Sequence, residues 1–498
     1  MIAASNAVDG MEDNTGLVRS LQAVTTDTLP EEIPQYEIID ETDETGLRHV
    51  ETAVQVSEVG TVELFLDAKG LSVEDLRWMR LLTELQGYLD SEKHTRQELA
   101  VAQEHYFYSG SVSYTILNEN DQPHPYYTMS WISLTDDLAQ GYDLAYELAF
   151  EQALDETHVS QVKDAVQALL ADRKNTITQS PYSVTIYKGF ARNNAVMALN
   201  DAVGNVNYYQ FLQKVAEELK TDPVPVIGKL VNVRDMLRSS GGAIAVYVGD
   251  EESFGANREL TDEFFSRFDA DEAKAAAYDT GSFPDSYALI VDSAVSYNGY
   301  TADYGTLGLD GYDAGIDVVT SLVTDQFLYP LLRDQYGAYG AMNNVFEDAG
   351  MYMFSYRDPN LKETFAVYDQ LPELLRQYPV DQETVNGYIL SVYSGIALSS
   401  GELSEALGAV GDYLSGKDPA RKLTWMEQVK AVTPETVEAF ADVYQALIEK
   451  GVRISAGGSG VIRANSELFD EIEAPFETAG GAEEEALTEA ADMMDEAA

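Results

Sequence analysis

Apolar and polar positions along the chain switch between two periods. Val62, Leu64 and Leu66 alternate with other residues from Thr61 to Leu66, the pattern of a strand with one buried face. From Ser72 to Leu89 the apolar positions fall at Leu76, Met79, Leu82 and Leu85, which predicts a helix with Ser72 as its N-cap. Two strand-like runs follow, Ser111 to Leu117 and Tyr126 to Ile132. The polar turn Asn118 to Pro125 joins them as a hairpin. Thr135 then caps a helix opening with Asp136 and Asp137, acids that suit a helix N-terminus. Residues 159–222 read as mostly helical connecting structure.

The same order returns later. Tyr287 to Val291 reads as a strand, and Ala314 to Arg333 as a helix covered by Val318, Leu322, Phe327, Leu331 and Leu332. A hairpin is predicted over 337–357, and a helix from Asp358-Pro359 carries Leu361, Phe365 and Tyr368. In both places a strand runs through a turn and a cap into a helix, with Gly110 and Gly337 ahead of the two hairpins. This predicts a duplicated α+β domain of roughly 200 residues per copy, although parallel topology would give a similar alternation. The copies span 36–275, which includes the helical connector, and 276–465. Residues 1–35 read as a linker, with a helix end at Leu17 to Leu21 and an extended stretch from Pro30 to Pro34. From Ser466 onward there are 12 acidic residues and no Lys or Arg, which predicts a disordered tail over 466–498.

Charge narrows the function classes. Against 85 Asp and Glu stand 31 Lys and Arg, a net charge of −54 over 498 residues. A nucleic-acid binder works through clustered cations, and an anionic membrane surface needs them too, so neither partner is expected. The tail is too small a part of this charge to account for it, so the body is acidic as well. An acidic surface can attract basic ligands, and adaptation to salt produces the same composition. A hydrophobic fraction of 45% excludes a wholly disordered acidic chain. With no cysteine there is no disulfide, thiol nucleophile or thiolate metal site. No run of 18 apolar residues and no leader-like start are found, so a cytoplasmic location is expected.

Few residues offer self-sufficient chemistry. The five histidines, His49, His94, His105, His124 and His158, form no H-x-x-E-H or H-E-x-x-H spacing. Glu104-His105 has the right ending, but Val101 stands where the first ligand would be, so both are expected on the surface. No G-x-S-x-G occurs, and Gly457-Gly458-Ser459-Gly460 lacks the Lys of a phosphate loop and reads as a turn beside a final strand. The segment Leu332-Arg333-Asp334-Gln335-Tyr336-Gly337-Ala338-Tyr339-Gly340 is the strongest candidate. Arg333 brings a permanent charge and a fork of donors, Tyr339 a phenolic donor, and the pair could stabilise an oxyanion. Gly337 and Gly340 permit unusual φ or close backbone approach. In the alternative, Arg333 caps its helix and Tyr339 fills the sheet. Aligning Gly110 with Gly337 sets Tyr106 opposite Arg333 and Val112 opposite Tyr339, so the pair occurs in one copy only.

The run Tyr329-Pro330-Leu331-Leu332-Arg333-Asp334-Gln335-Tyr336-Gly337-Ala338-Tyr339-Gly340, then Phe354-Ser355-Tyr356-Arg357-Asp358-Pro359-Asn360 and Thr364, resembles the last domain of presequence-protease-type metallopeptidases in the pitrilysin/insulinase (inverzincin) family. Arg333 and Tyr339 match the family's Arg and the Tyr six residues later. Glu31 to Tyr36 resembles the family's inter-half linker, and Asn205 to Leu212 a stretch of its associated region. The resemblance implies two homologous LuxS/insulinase-type α+β domains, each a mainly antiparallel sheet with helices packed on it. It implies a four-domain enzyme of two bowl-shaped halves, whose first domain holds zinc and whose last supplies the Arg and Tyr to an enclosed, unfolded peptide.

Only the second half of that pattern is matched. The resemblance therefore implies a non-catalytic C-terminal half, not active alone, with no cofactor bound by this chain and zinc on a partner N-terminal half. Arg333 and Tyr339 would contact the substrate, an unfolded and by charge preferably basic peptide. The alternatives are a catalytically inactive peptide-binding or structural subunit and a truncated remnant of a full-length peptidase.

Overall fold

The computed structural model describes residues 25–476, apart from 30, 57, 120–121, 239–240 and 270–273. The predicted helix end at 17–21 and the acidic stretch 477–498 lie outside the described residues.

Two six-stranded sheets organise the chain. The first contains β1 (Ile38–Thr42), β2 (Arg48–Ala53), β3 (Val59–Asp67), β4 (Ser109–Glu119), β5 (Gln122–Leu134) and β6 (Ile244–Gly249), in the order β1-β2-β6-β3-β5-β4. The second contains β7 (Ser286–Ile290), β8 (Tyr297–Ala302), β9 (Gly340–Phe346), β10 (Gly350–Tyr356), β11 (Val452–Gly457) and β12 (Glu471–Glu473), in the order β12-β7-β11-β8-β10-β9. Strand for strand, β2-β6-β3-β5-β4 repeats as β7-β11-β8-β10-β9. In each copy the first and last strands of the unit pair in parallel and the other pairs are antiparallel. The duplication is therefore an α+β fold with mainly antiparallel sheets.

The local signals explain the elements. Ser72 accepts from the Asp75 N–H at the start of the helix Val73–Glu84, as the sequence predicts. Both predicted hairpins form: β4 pairs along its whole length with β5, and β9 with β10. The helical connector runs from Val159 to Arg238 in five helices, further than residue 222.

Each sheet is covered on one face by its own helices and on the other by a helix from its neighbour. Val62, Leu64, Met129 and Trp131 face the first unit's helices. The opposite face, with Val50, Ile244, Val246 and Val248, packs on Ala406 and Val410 of Glu402–Leu414, a helix of the second unit. Tyr413 also donates to Asp40 at 2.7 Å, and Glu402 accepts the Gln55 N–H at 2.9 Å. Conversely, Val184, Ile186 and Phe190 of the connector helix Pro181–Ala191 cover Tyr287, Leu289, Phe354 and Ile454 of the second sheet. That helix sits close: a Cβ at Gly189 would come within 2.2 Å of Thr301 Oγ1.

Two expectations at the ends change. The segment before β1 belongs to the second unit's core, where Leu29 is buried and Ile33 packs, and Glu31 pairs with Lys430 at 2.8 Å. The acidic tail does not begin at Ser466. Residues 466–476 are ordered, with β12 parallel to β7, and Tyr287 donates to Glu473 at 2.6 Å while Ser286 donates to Asp470 at 2.8 Å. The acids there have specific partners, which composition alone does not show.

Candidate functional site

The candidate segment is the turn between a helix and the edge strand β9. The helix Gly315–Val323 continues into Thr324–Gln335 with wider, π-type winding. Pro330 lies inside this stretch; it lacks an N–H and cannot close a normal α-turn. Phe327, Leu328 and Leu332 bury one face, which leaves Arg333 on the other. Gly337 ends the helix at φ +81, a left-handed conformation that glycine adopts without strain. Its N–H returns to the Arg333 carbonyl at 3.0 Å, and the Ala338 N–H to the Leu332 carbonyl at 2.9 Å. Tyr339 then enters the sheet, donating its N–H to the Tyr356 carbonyl at 3.0 Å, and Gly340 begins β9 opposite Tyr356. Gly340 is buried in ordinary extended backbone, and a Cβ there would meet Tyr329 at 3.6 Å. Of the two glycines, Gly337 is the one whose conformation the turn requires.

Both candidate side chains face outward. Tyr339 is 69% exposed, and its ring meets that of Tyr356 edge-on at 6.1 Å between centroids. Arg333 is exposed and forms no side-chain hydrogen bond or ion pair among the described residues. It does not cap the helix carbonyls, and Tyr339 does not fill the sheet. The turn presents five guanidinium N–H groups and one phenol to whatever lies outside it.

The second string, Tyr356 to Asn360, holds that turn in place. Asp358 is 1% exposed; it accepts the Thr364 hydroxyl at 2.5 Å and the Asn360 N–H at 2.8 Å. Its backbone exchanges two hydrogen bonds with Ser296, at 2.7 and 2.8 Å. Asn360 donates its side-chain amide to the Tyr336 carbonyl at 2.8 Å and so ties down the end of the helix. Arg357 sits at φ +49 between the strand and this anchor. Ser296 and Asn298, which donates to the Asn360 carbonyl at 2.9 Å, complete the brace. Sequence reasoning missed both; the available signal was polar residues inside a run that must form a buried strand.

The strand register revises the comparison of the two copies. Tyr108, not Val112, stands opposite Tyr339. Its N–H donates to the Ile132 carbonyl at 2.8 Å immediately before Ser109 pairs with Ile132. The first unit's helix ends one residue nearer its strand, with the Phe107 N–H returning to the Gln103 carbonyl, and neither Gln103 nor Ala102, six residues before Tyr108, is an arginine. The exposed tyrosine is thus common to both copies, and the arginine belongs to the second.

Catalytic zinc of the inverzincin type does not fit these residues. H-x-x-E-H is absent from the sequence, and Glu104 and His105 are exposed on the helix Arg96–Tyr106. No helix among the described residues is long and apolar enough to cross a membrane.

Comparison with known proteins matches both units. Residues 18–215 match the family described as the associated region of M16 peptidases of subfamily C, and residues 288–456 the PreP C-terminal domain. Protein HypA of Clostridium perfringens is 22% identical over 432 residues, covering 86% of this chain and 44% of HypA. Presequence protease 1, chloroplastic/mitochondrial, of Arabidopsis thaliana is 22% identical over 316 residues, covering 62% of this chain and 29% of that protein. The chain thus spans less than half the length of either relative. A solved peptidase M16 inactive domain from Pseudomonas fluorescens shares the fold with a TM-score of 0.57 at 15% identity, over 85% of this chain and 98% of that one.

Proposed function

Because the chain belongs to the M16 metallopeptidases, as a C-terminal half of the presequence-protease type, we propose that it serves as the non-catalytic half of a zinc endopeptidase that degrades unfolded peptides. A zinc-bearing half outside these 498 residues supplies the metal and the carboxylate that activates water. Arg333 and Tyr339 donate hydrogen bonds to the scissile carbonyl, which grow stronger as negative charge develops on that oxygen. The observation that carries this reading is an exposed Tyr339 beside an exposed Arg333 that forms no side-chain hydrogen bond or ion pair among the described residues, on a turn braced from behind by Asp358 and Asn360. Side chains kept free on a rigid support are organised for a ligand and not for the fold. The excess of 85 acidic over 31 basic residues favours basic peptides by long-range attraction.

The test mixes this chain with an M16 half carrying H-x-x-E-H and follows cleavage of an unstructured basic peptide. Arg333→Ala and Tyr339→Phe should each lower kcat/KM by about a hundredfold to a thousandfold, the range seen when an oxyanion donor is removed. Cleavage unchanged by both substitutions removes their assigned role. Peptide binding by the isolated chain with no gain of proteolysis from any zinc-bearing half identifies an inactive peptide-binding or structural subunit instead.

A further inference from the structure

The inner face of β2 meets the helix Phe254–Phe265 at two successive rungs. At one, Glu51 is 1% exposed and is neutralised by Arg258, whose Nε donates to Glu51 Oε1 at 3.0 Å and whose Nη2 donates to Oε2 at 2.5 Å. At the other, two strand residues earlier and one helical turn later, His49 faces Asp262, and the chain provides no cation among the described residues. The His49 side chain is 7% exposed and its ring forms no hydrogen bond among the described residues. Its Nε2 stands 3.7 Å from Asp262 Oδ1 and 3.7 Å from Asp43 Oδ2. Asp43 Oδ1 is fully engaged, accepting from the Thr45 N–H at 2.8 Å, the Thr45 hydroxyl at 2.7 Å and the Leu47 N–H at 3.0 Å. Its other oxygen is left turned toward the imidazole.

We propose that Asp43, His49 and Asp262 bind a divalent transition-metal ion of the zinc class. One nitrogen and two oxygens, each from a different residue, lie within 4.8 Å of one another. Donors around tetrahedral zinc stand roughly 3.4 Å apart, from bond lengths of about 2.0–2.2 Å, so the His49 contacts need to contract by only about 0.3 Å. An imidazole with two carboxylates selects zinc-like ions over magnesium and calcium, which prefer oxygen alone. Two carboxylates facing one buried imidazole leave an excess of negative charge, and a dication neutralises it as Arg258 does one rung away. The ion would fasten the β1–β2 turn, β2 and the helix together. The adjoining cavity of about 680 Å³, lined by Asp43, Gly46, Gly242, Asp262 and Phe265, gives its remaining coordination positions access to solvent or a small ligand.

The test uses the full chain, stripped with chelator and held in high salt with excess Mg²⁺ to saturate diffuse binding by the acidic surface. ZnCl2 is followed by calorimetry and CoCl2 by its visible absorption. One saturable site per chain is expected, with a rise in Tm on loading. Asp262→Asn and His49→Gln should each weaken it at least about tenfold, and His124→Gln should leave it intact. The Asp262 side chain is 59% exposed, so Asp262→Asn carries the test even if His49→Gln does not fold. No saturable site, an unchanged site in Asp262→Asn, or loss of the site in His124→Gln overturns the proposal.

Discussion

His124 Nε2 lies 2.9 Å from the carboxylate of Asp67, which is 3% exposed, while Nδ1 lies 2.7 Å from Glu119. Burial alone would lower the imidazole pKa, but the hydrogen bonds and charges of the two carboxylates outweigh it and raise the value from 6.5 to about 9. The folded value exceeds the unfolded one, so this stabilisation is complete below about pH 6.5 and disappears as pH rises through about 9. His124→Gln should therefore cost most stability near pH 6 and little above about pH 9. Thermal unfolding of both proteins across that range reads the difference, and a gap that does not shrink with pH contradicts it.

Asp358 satisfies Thr364 and Asn360 from a fully buried position. Asp358→Ala strands both donors and should destabilise the chain by about 2–4 kcal/mol, against about 1–2 kcal/mol for Thr364→Val. Urea unfolding measures both. Equal small losses would show that the anchor does not hold the turn.

Asn360 acts on the same turn from outside the core through the Tyr336 carbonyl. Asn360→Ala should cost about 1 kcal/mol of stability. In the reconstituted peptidase it should lower kcat/KM more than that loss predicts, because Arg333 and Tyr339 lose their fixed positions. An activity loss no larger than the change in folded fraction would argue against a positioning role.

Gly337→Ala tests the backbone alone. The nearest atom to a new Cβ is Pro359 Cγ at 3.9 Å, so space is available, but φ +81 is unfavourable for alanine. The expected loss is about 1–2 kcal/mol, read by urea unfolding. A neutral result would mean the turn relaxes to a negative φ.

Val410 is 1% exposed and lies against the first sheet although its helix belongs to the second unit. Val410→Asp buries a charge between the units and should destabilise both together, by more than about 3 kcal/mol. Calorimetry should show one unfolding transition in the wild type. Two well-separated transitions in the wild type would show that the units fold independently.

The legible part of the fold was local. Both hairpins, the helix that starts at Ser72 and the segment from Arg333 to Gly340 announce themselves through short-range period and turn residues. β6 was not legible in the same way, because it pairs in parallel with a strand far away in sequence and its buried run shows no alternation; β11, also parallel to a distant partner, was read only as a final strand beside the Gly457 turn. β8 was hidden for a different reason. Its Asn298 and Thr301 are polar yet fully buried, and Asn298 is satisfied by Ser455 and the Asn360 carbonyl. β12 was masked by its acids: Glu473 and the neighbouring Asp470 find their partners, Tyr287 and Ser286, 186 and 184 residues away in the chain. At the site, residue types singled out the segment from Leu332 to Gly340, and the family resemblance pointed to Arg333 and Tyr339 within it. The counterpart of Tyr339 in the first unit needed the strand register, which moved it from Val112 to Tyr108.

The exchange of helices between the units, Pro181–Ala191 onto one sheet and Glu402–Leu414 onto the other, bears on how such a chain can be rearranged. A duplicated fold invites shuffling at the boundary between its copies. Here a cut near residue 275 would strip each sheet of the helix that seals its far face, exposing two apolar surfaces at once. Any exchange of one copy for another would therefore have to carry across the helix that seals the opposite sheet, or leave that face open to water.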